Sequence, residues 1–411
     1  MALASIFERV LGRDLAVGIR GYDGTNVGSS EARATIVVRN RDALRYIVGS
    51  RGELGFARAY VSGALDVEGD IFAALSLRDH FPDVRLRWHD VVAIARELGI
   101  RQLRRLPPPP EEARLRGRRH SPERDHAAVS HHYDMSNDFY RLVLGPSLTY
   151  SCAVFTPDTT TLEEAQANKC ELVCRKLGLT TGMRLLDIGC GWGSMVLHAA
   201  TNHNVSGVGV TISHQQVELA HKRIAEAGVV HNVQVRYEDY RAVADGPYDG
   251  ISSIGMFEHV GEAKLAEYFA RCFSLLRDGG RFLNHGISRP PGRPARFDPN
   301  SFVDRYVFPD GELHEVGRVV SAMQKAGFEV RHVESLREHY ARTLRCWVAN
   351  LETDWDNAVS FVGETRARIW RLYMAASALN FETNRTQIHQ VLAVKPDGGA
   401  SGMPLRPAWD L

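Results

Sequence analysis

A glycine-rich loop is the part of the sequence best suited to hold a ligand. It reads "LLDIGCGWGS", from Leu185 to Ser194, and stands between an apolar strand and the helix "SMVLHAATN". Backbone amides that meet at a helix N-terminus favour negative charge, and glycines allow them a close approach to a ligand. The spacing of Gly189, Gly191 and Gly193 is not the dinucleotide fingerprint Gly-x-Gly-x-x-Gly. The loop therefore predicts a cofactor site of another kind.

Further candidates for chemistry are spread along the chain. They are Cys152 in "YSCAVF", Glu258 in "MFEHVG", His285 in "LNHGI" and Tyr340 in "EHYARTL". Taken singly, a cysteine or a tyrosine in such a setting is typical of a packed core. Glu258 and His259 do not predict a metal pair, because neighbouring residues of a helix point in different directions and no His-x-x-x-His spacing accompanies them.

The six cysteines are sparse and irregularly spaced, which suits a reducing compartment better than a disulfide framework. Cys170 and Cys174 lie one helical turn apart, but no second pair of ligands with metal spacing accompanies them. We interpret them as packed thiols and expect no metal.

Charge and hydropathy exclude several classes of protein. Lys+Arg number 50 and Asp+Glu 49, so the chain lacks the basic excess of a nucleic-acid binder. The N-terminal "MALASIFERVLGRD" is interrupted by charges before a signal-peptide core forms, and no apolar run approaches the roughly 20 residues of a membrane span. We expect a cytoplasmic protein, peripheral on the inner face of the membrane.

A proline- and arginine-rich segment divides the chain of 411 residues. Four consecutive prolines begin at Pro107, and the segment from Arg101 to Asp125 carries eight arginines against four acidic residues. Such a segment favours a solvated spacer, with contact to anionic lipid headgroups as the alternative. The predicted domains are a small α+β accessory or lipid-binding domain (1–106), a linker (107–125), a catalytic domain (126–398) and a tail (399–411).

Strands and helices alternate after the linker, which predicts right-handed βαβ units and a doubly wound parallel sheet. The predicted strands are "MRLLDIG", "VSGVGVTI", "VQVRYEDY", "YDGISSIGMF" and "RFLNHGI", the last preceded by a turn "RDGG". "GFEVRHVESL" and "QIHQVLAVKP" are expected to close one edge. Before the linker, "LAVGIRGYDG" and "ARATIVVRN" predict strands, and "RDALRYIVG", "LGFARAYVSG" and "DIFAALSL" predict helices.

In this setting the glycine loop resembles motif I of class I S-adenosylmethionine-dependent methyltransferases, which have a Rossmann-like α/β fold. One departure is that the second strand ends in Thr211 and "T-x-S-x-x-Q", where most of that class have an acidic residue for the ribose. With "HYDMSNDFYRLVLGPSLTYSCAVF", "MFEHVG", "LNHGI" and "HYARTLRCW", the chain resembles cyclopropane-fatty-acyl-phospholipid synthases, mycolic acid cyclopropane synthases and methyl-branching fatty acid methyltransferases. The likeness covers about residues 129–394 and extends more weakly through the N-terminal domain.

The resemblance implies two sets of site residues. A bound bicarbonate acts as the base in these synthases, in a pocket that maps onto Cys152, Glu258, His285, the backbone amide of Ile287, and Tyr340. The cofactor contacts implied are Tyr150, Ser151, Asp187, Gly189, Gly191, Gly193, Thr211, Gln216 and Asp239. We infer that the carboxyl of Glu258 shares a proton with the bicarbonate or stays protonated, and that the Cys152 thiol donates a hydrogen bond.

The same resemblance implies methyl transfer to the cis double bond of an unsaturated phospholipid acyl chain, with cyclopropane as the product. The alternative product is a methylene or methyl-branched chain of the tuberculostearic type, which would need a partner reductase. N-methylation of a small amine is a more remote alternative, and an inert lipid carrier another. Likeness to the family also suggests a homodimer.

Overall fold

The computed structural model describes residues 17–28, 31–50, 52–80, 106–113, 124, 136–292, 294, 297–298 and 300–411. The strands are β1 (Gly18–Arg20), β2 (Asn26–Val27), β3 (Ala34–Val38), β4 (Leu65–Gly69), β5 (Arg184–Ile188), β6 (Ser206–Thr211), β7 (Val233–Tyr237), β8 (Tyr248–Ile254), β9 (Leu276–Ser288), β10 (Glu329–Ser335) and β11 (Gln387–Val394). The helices are α1 (Asp42–Gly49), α2 (Glu53–Val61), α3 (Ile71–His80), α4 (Asn137–Leu144), α5 (Leu162–Leu177), α6 (Ser194–His203), α7 (His214–Glu226), α8 (Leu265–Leu275), α9 (Phe302–Tyr306), α10 (Val316–Lys325), α11 (Arg337–Thr353), α12 (Trp355–Val362) and α13 (Glu364–Glu382). Single turns of 3-10 helix cover Phe257–His259 and Glu262–Lys264.

The first of two compact units comprises Met1–Arg114, Asp298–Pro309 and Leu351–Leu379. Its sheet has the order β2-β1-β3-β4, in which β1 and β3 are parallel. The two predicted strands and three predicted helices of this region are present, and β2 and β4 are additional strands. The Arg368 guanidinium binds the Asp66 carboxylate of β4 through two hydrogen bonds of 3.1 Å. The segments 298–309 and 351–379 thus belong to the first unit. The expected boundaries at 106 and 126 had placed them in the catalytic domain.

The start of the predicted linker packs inside this first unit. Glu112 is buried, and its carboxylate accepts hydrogen bonds of 2.9 and 2.8 Å from Arg58. The Tyr306 hydroxyl lies 3.2 Å from the same carboxylate. Residues 106–113 are therefore not a solvated spacer. Of the linker arginines, those other than Arg124 lie outside the described residues.

The second unit comprises Leu115–Phe297, Asp310–Asn350 and Asn380–Leu411. Its seven-stranded sheet has the order β10-β11-β9-β8-β5-β6-β7. Strands β5 to β9 are mutually parallel, whereas β11 is antiparallel to both of its neighbours. All seven strands were predicted. The expected turn "RDGG" instead lies within β9, where Gly279 has a φ of +74° and the pairing with β8 shifts register.

Local sequence explains the two helices that flank the glycine loop. Helix α5 begins at a capping box between Thr161 and Glu164 and ends at Gly178, which has the left-handed conformation. Helix α6 begins directly after the loop, with Gly193 at its N-cap. Apolar side chains of both helices pack into one core with strand residues such as Leu185 of β5 and Val235 of β7. None of the helices in the described parts of the chain is apolar over a length sufficient to cross a bilayer.

Candidate active site

The carboxyl ends of four parallel strands bring the predicted site residues to one edge of the second unit's sheet. Strands β9, β8, β5 and β6 lie side by side in that order. The glycine loop follows β5, Thr211 ends β6, Glu258 follows β8 and His285 lies near the end of β9. Ligands of open α/β sheets bind outside the carboxyl ends of the strands. This edge is therefore the candidate active site.

The loop after β5 has a backbone that only glycine adopts easily. Gly189, Gly191 and Gly193 have φ values of +73°, +55° and +80°. A Cβ atom on Gly189 would lie 2.8 Å from Cγ of Met256. Because α6 starts at Gly193, the loop offers backbone amides at a helix N-terminus, as binding of a carboxylate requires.

Asp187 makes its contact within the sheet. Its Oδ1 accepts a hydrogen bond of 2.7 Å from Ser252 Oγ on β8. Burial raises the pKa of the Asp187 carboxyl to about 6, although the bond from Ser252 acts in the opposite direction. The contact ties β5 to β8 just before the loop begins.

A hydroxyl and an amide stand at the end of β6, where most class I methyltransferases have an acid. Thr211 Oγ1 donates to Gln216 Oε1 at 2.6 Å, and both residues are buried. Ser213 caps α7 by accepting from the Gln216 amide. Beyond β7, burial raises the pKa of Asp239, but hydrogen bonds from Arg241 outweigh it and leave this pKa lowered. Asp239 is therefore an anion at neutral pH.

Glu258 is held by the amide of Ile287. Its Oε1 accepts from the Ile287 N–H at 2.6 Å, while its Oε2 is buried without a hydrogen-bond partner among the described residues. Burial raises the pKa of the Glu258 carboxyl to about 7. A Cβ atom on Gly286 would lie 2.0 Å from the Phe257 ring, so a glycine is required there for β9 to approach this turn. The structure thus joins two of the five predicted pocket residues directly.

His285 is oriented by a chain of hydrogen bonds. Lys176 Nζ donates to Gln390 Oε1 at 2.7 Å, and Gln390 Nε2 lies 3.0 Å from His285 Nδ1. An ammonium can only donate, so the Gln390 carbonyl faces Lys176 and its NH₂ group donates to Nδ1. Burial lowers the pKa of His285 well below its usual value. The neutral ring therefore carries its proton on Nε2, which is buried and unpartnered in the part of the chain that is described.

Cys152 and Tyr340 meet at the carbonyl of Leu336. The Cys152 Sγ lies 3.2 Å from the Ala153 carbonyl oxygen and 3.6 Å from that of Leu336, which also accepts from the Tyr340 amide. Burial raises the pKa of the Cys152 thiol, so it is a donor and not a thiolate. The Leu336 amide in turn donates to Ile388, which pairs with Ile287 across β11 and β9. All five residues thus belong to one connected region.

Aromatic rings form a cluster that begins at Tyr150, two residues before Cys152. The buried Trp347 ring lies 5.4 Å from Tyr150 and 6.0 Å from Tyr340, centroid to centroid. Phe381 lies 4.7 Å from Tyr340 on the same measure. Ser151, between Tyr150 and Cys152, is buried. The cluster offers π faces to a cation.

Three of these residues were not among the predicted ones. Gln390 and Lys176 are buried polar residues within apolar stretches, which is a usable signal, but their partner His285 is remote in sequence. Trp347 ends the motif "HYARTLRCW", in which the resemblance implies a role for Tyr340 only. Long-range pairing was therefore the missing information.

Comparisons with known proteins agree with this geometry. Residues 120–391 match the family described as mycolic acid cyclopropane synthetase. A probable fatty acid methyltransferase of Mycobacterium tuberculosis is 45% identical over 404 residues, which cover 94% of this chain and 93% of that relative. Cyclopropane mycolic acid synthase 2 of Mycobacterium leprae is 38% identical over 289 residues, covering 65% of this chain and 93% of the relative. The crystal structure of a mycolic acid cyclopropane synthase complexed with SAH and CTAB has a TM-score of 0.62 at 34% identity, covering 66% of this chain and 98% of that one.

The doubly wound sheet and its glycine loop define a class I S-adenosylmethionine-dependent methyltransferase. This chain belongs to the mycolic acid cyclopropane synthetase family, and its enzyme class is S-adenosylmethionine-dependent methyltransferase of the cyclopropane synthase type. The predicted family and fold class are confirmed. The roles of the individual site residues stay predictions.

We expect Gln390→Glu to move the proton of His285 from Nε2 to Nδ1. A carboxylate in place of the amide can pair with Lys176 but can only accept from the imidazole, so Nδ1 must become the donor. The readout is ¹⁵N NMR of histidine-labelled protein, with the His285 signals among 17 histidines assigned by their loss in His285→Gln.

Gln387→Glu is the matched control, since Gln387 lies on the same strand and bonds Asn384. It should leave the wild-type tautomer in place. A wild-type His285 already protonated at Nδ1, or one unchanged by Gln390→Glu, would contradict the assigned hydrogen-bond chain.

Glu258→Gln should remove one component of the pH dependence of stability. The folded pKa of about 7 lies above the ordinary 4.5, so the native state keeps a proton that the unfolded state releases between these values. The unfolding free energy of the wild type therefore falls as pH rises through this window, by at most about 3 kcal/mol. We expect the unfolding free energy of the variant, relative to that of the wild type, to be higher at pH 8 than at pH 5. Denaturant unfolding at the two pH values measures it. Glu329→Gln, at a half-exposed position, is the control, and parallel curves for Glu258→Gln and wild type would contradict the raised pKa.

Proposed function

We propose that the protein transfers the methyl group of S-adenosylmethionine to a cis double bond of an unsaturated phospholipid acyl chain and closes a cyclopropane ring. The observation that carries the proposal is the pair of buried atoms Glu258 Oε2 and His285 Nε2, neither of which has a partner within the described residues. An alkene has no proton to lose before it is attacked. Groups that handle a proton are needed only after methyl addition, in a dry place, and these two atoms are suited to that task.

The residues at the sheet edge fit the cofactor. When bound, S-adenosylmethionine supplies an electrophilic methyl group. The loop from Gly189 to Gly193 offers amides to the methionine carboxylate, with α6 starting at that point. Thr211 and Gln216 offer a hydroxyl and an amide for the ribose, and the anionic Asp239 suits the adenine amino group. Tyr150 and Ser151 are further cofactor contacts that the family resemblance implies.

The same edge fits a small anion such as bicarbonate, which would supply a proton acceptor. His285 Nε2 is buried without a partner among the described residues, so its N–H can donate to an anion. The family resemblance adds the Tyr340 phenol and the Cys152 thiol, whose sulfur now faces the carbonyls of Ala153 and Leu336. Glu258, with a pKa of about 7, can be protonated and avoid repelling an anion. The Ile287 amide already donates to Glu258, so its contribution to such an anion runs through that carboxyl.

Aromatic residues can meet the second requirement of the reaction, which is to stabilise a carbocation away from water. The π electrons of the alkene would form a bond to the methyl carbon while the bond from that carbon to sulfur breaks and S-adenosylhomocysteine leaves. The second alkene carbon is then a cation. Loss of a proton from the added methyl group then lets the C–H electron pair close the ring. Rings at Tyr150, Tyr340 and Trp347 can each stabilise such a cation by about 0.5–2 kcal/mol while excluding water.

A methyl-branching reaction is the second candidate. It shares the cation, but a hydride shift and loss of a different proton give a methylene group, which a partner reductase would convert into a methyl branch. The observation in its favour is that a relative matching 94% of this chain is named a fatty acid methyltransferase, whereas the cyclopropane synthase relative covers 65%.

The remaining proposals rest on the family resemblance. They are phospholipid chains at the cytoplasmic membrane surface as the substrate, a homodimer as the assembly, and no role for nucleic acid. N-methylation of a small amine stays the remote alternative.

The decisive assay uses vesicles of oleoyl phospholipid and S-adenosylmethionine carrying a ¹³C-labelled methyl group. We expect label in the acyl chain, with cyclopropane ring protons in the magnetic resonance spectrum of the purified fatty ester. Because the two candidate products are isomers, mass alone cannot separate them. Vesicles with only saturated chains are the control and should stay unlabelled.

Methylene protons in place of ring protons would establish the second candidate. Failure with vesicles together with labelling of a soluble amine would refute lipid methylation altogether.

His285→Ala and Glu258→Gln should lower turnover by at least about 100-fold while changing the Kd for S-adenosylmethionine only a few-fold. The physical reason is that both groups act on the proton lost after methyl transfer has begun. Calorimetry gives the affinity and the vesicle assay the turnover. His221→Ala on α7, where the ring bonds the Val235 carbonyl, is the control and should keep both values. Loss of cofactor binding with normal turnover of the bound fraction would show that the roles are assigned wrongly.

A further inference from the structure

Three metal-binding side chains converge between α5 and α6, and Glu171 contacts two of them. Cys174 Sγ and one ring nitrogen each of His198 and His203 all lie within 4.8 Å of one another. Glu171 adds a carboxylate oxygen, Oε2, which lies 3.2 Å from His198 Nε2 and 2.8 Å from His203 Nε2. Glu171 and Cys174 share one face of α5, and both histidines come from α6.

We propose that Glu171, Cys174, His198 and His203 form a structural zinc site. Zinc prefers sulfur, imidazole nitrogen and carboxylate oxygen in a tetrahedron, with bonds of about 2.0–2.3 Å, so its ligands stand about 3.3–3.7 Å apart. The donor atoms of Cys174, His198 and His203 lie within 4.8 Å of one another, so each pair must approach by at most about 1.5 Å to reach that spacing. Four protein ligands would fill the coordination sphere, which is the arrangement of a structural site and not of a catalytic one.

The ionisation states of the cluster suit a divalent cation. Burial raises the pKa of Glu171, but hydrogen bonds from Arg175, His203 and His198 outweigh it and bring the pKa to about 2, so the group is an anion. Burial raises the pKa of the Cys174 thiol, which keeps its proton until a metal displaces it. Binding converts the thiol into a thiolate and releases that proton to solvent, while each neutral imidazole keeps one proton on the nitrogen that does not bind. Thiolate and carboxylate then balance the charge of Zn²⁺.

An imidazole–carboxylate network alone would account for Glu171 and the two histidines. Cys174 packs in the apolar core as well, but its Sγ lies within 4.8 Å of a nitrogen of each ring, which such a network does not require. The spacing of Cys170 and Cys174 does not reveal this site, because both histidines lie on the helix after the glycine loop. Cys170 is not a member of the cluster.

The zinc site would cross-link α5, which precedes β5, to α6, which follows the glycine loop. Helix α5 carries Lys176, which orients His285 through Gln390, and α6 begins at Gly193. An ion that binds the folded chain and not the unfolded one raises its stability in proportion to the logarithm of metal concentration. The expected effect is thus on folding and on loop rigidity.

The test uses the full chain without a polyhistidine tag, stripped with a chelator and titrated with Zn²⁺ and, as a spectroscopic probe, Co²⁺. We expect one Zn²⁺ per chain by mass spectrometry of metals, a thiolate-to-cobalt charge-transfer band, release of one proton per ion and a higher unfolding temperature. Cys174→Ser should abolish the band, and His203→Gln should weaken Zn²⁺ binding by more than about tenfold, the lower limit for losing even an outer partner of a ligand.

Cys170→Ser is the matched control, one turn earlier on α5 and also buried, and should keep the band and the stoichiometry. If Cys174→Ser does not fold, the wild-type titration and His203→Gln, whose side chain is partly exposed, still decide the matter. A wild type that binds no Zn²⁺ at micromolar free metal, or a band that survives in Cys174→Ser or vanishes in Cys170→Ser, would overturn the proposal.

Discussion

The hydrogen bond from the Ile287 amide to Glu258 is the contact that fixes a carboxyl group at the carboxyl edge of the sheet. It holds a carboxyl group in a buried position, which raises its pKa to about 7. The contact is possible only because Gly286 has no side chain against the Phe257 ring. The second carboxyl oxygen is left without a partner among the described residues, at a cost of about 1–3 kcal/mol. A bound group that supplies the missing hydrogen bond would recover that energy.

The imidazole of His285 is held in one tautomer by Gln390 and Lys176, through its Nδ1 atom. Lys176 sets the orientation of the Gln390 amide, and the amide sets the tautomer of His285. Glu334 pairs with Lys176, so the buried ammonium is not left uncompensated. The edge of the sheet therefore presents a fixed donor at His285 and an acid of intermediate pKa at Glu258, and both are preorganised before any ligand arrives.

Local pattern was sufficient to predict much of this structure. The glycine loop, the alternation of strands and helices, and the two closing strands follow from residues close together in the chain. The exceptions involve remote partners. Gln390 faces His285 across 105 residues, and Arg368 faces Asp66 across 302. The expected turn "RDGG" lies within β9, at the point where the pairing with β8 passes from Leu276 to Arg281 and Gly279 has a φ of +74°.

The predicted active site divides in the same way between what local sequence predicts and what depends on contacts between remote residues. Motif positions could be carried over from the family resemblance, because each motif is short. The contacts that set the pKa of Glu258 and the tautomer of His285 could not, because they depend on strand register. The chain leaves the first unit after Arg114, inside the segment that was expected to be the linker. A break in composition shows where the chain leaves a unit and not where it returns, as it does at residues 298–309 and 351–379.

The position of β11 has a consequence for the order in which the protein becomes competent during synthesis. This strand inserts between β9 and β10 and supplies both Gln390 and the partner of Leu336, yet it follows all other strands of its sheet in the sequence. A nascent chain that has emerged only as far as β10 already contains the glycine loop, whereas His285 still lacks the neighbour that sets its proton. The loop can thus be complete before the tautomer of His285 is fixed, which requires β11 to insert between its two neighbours.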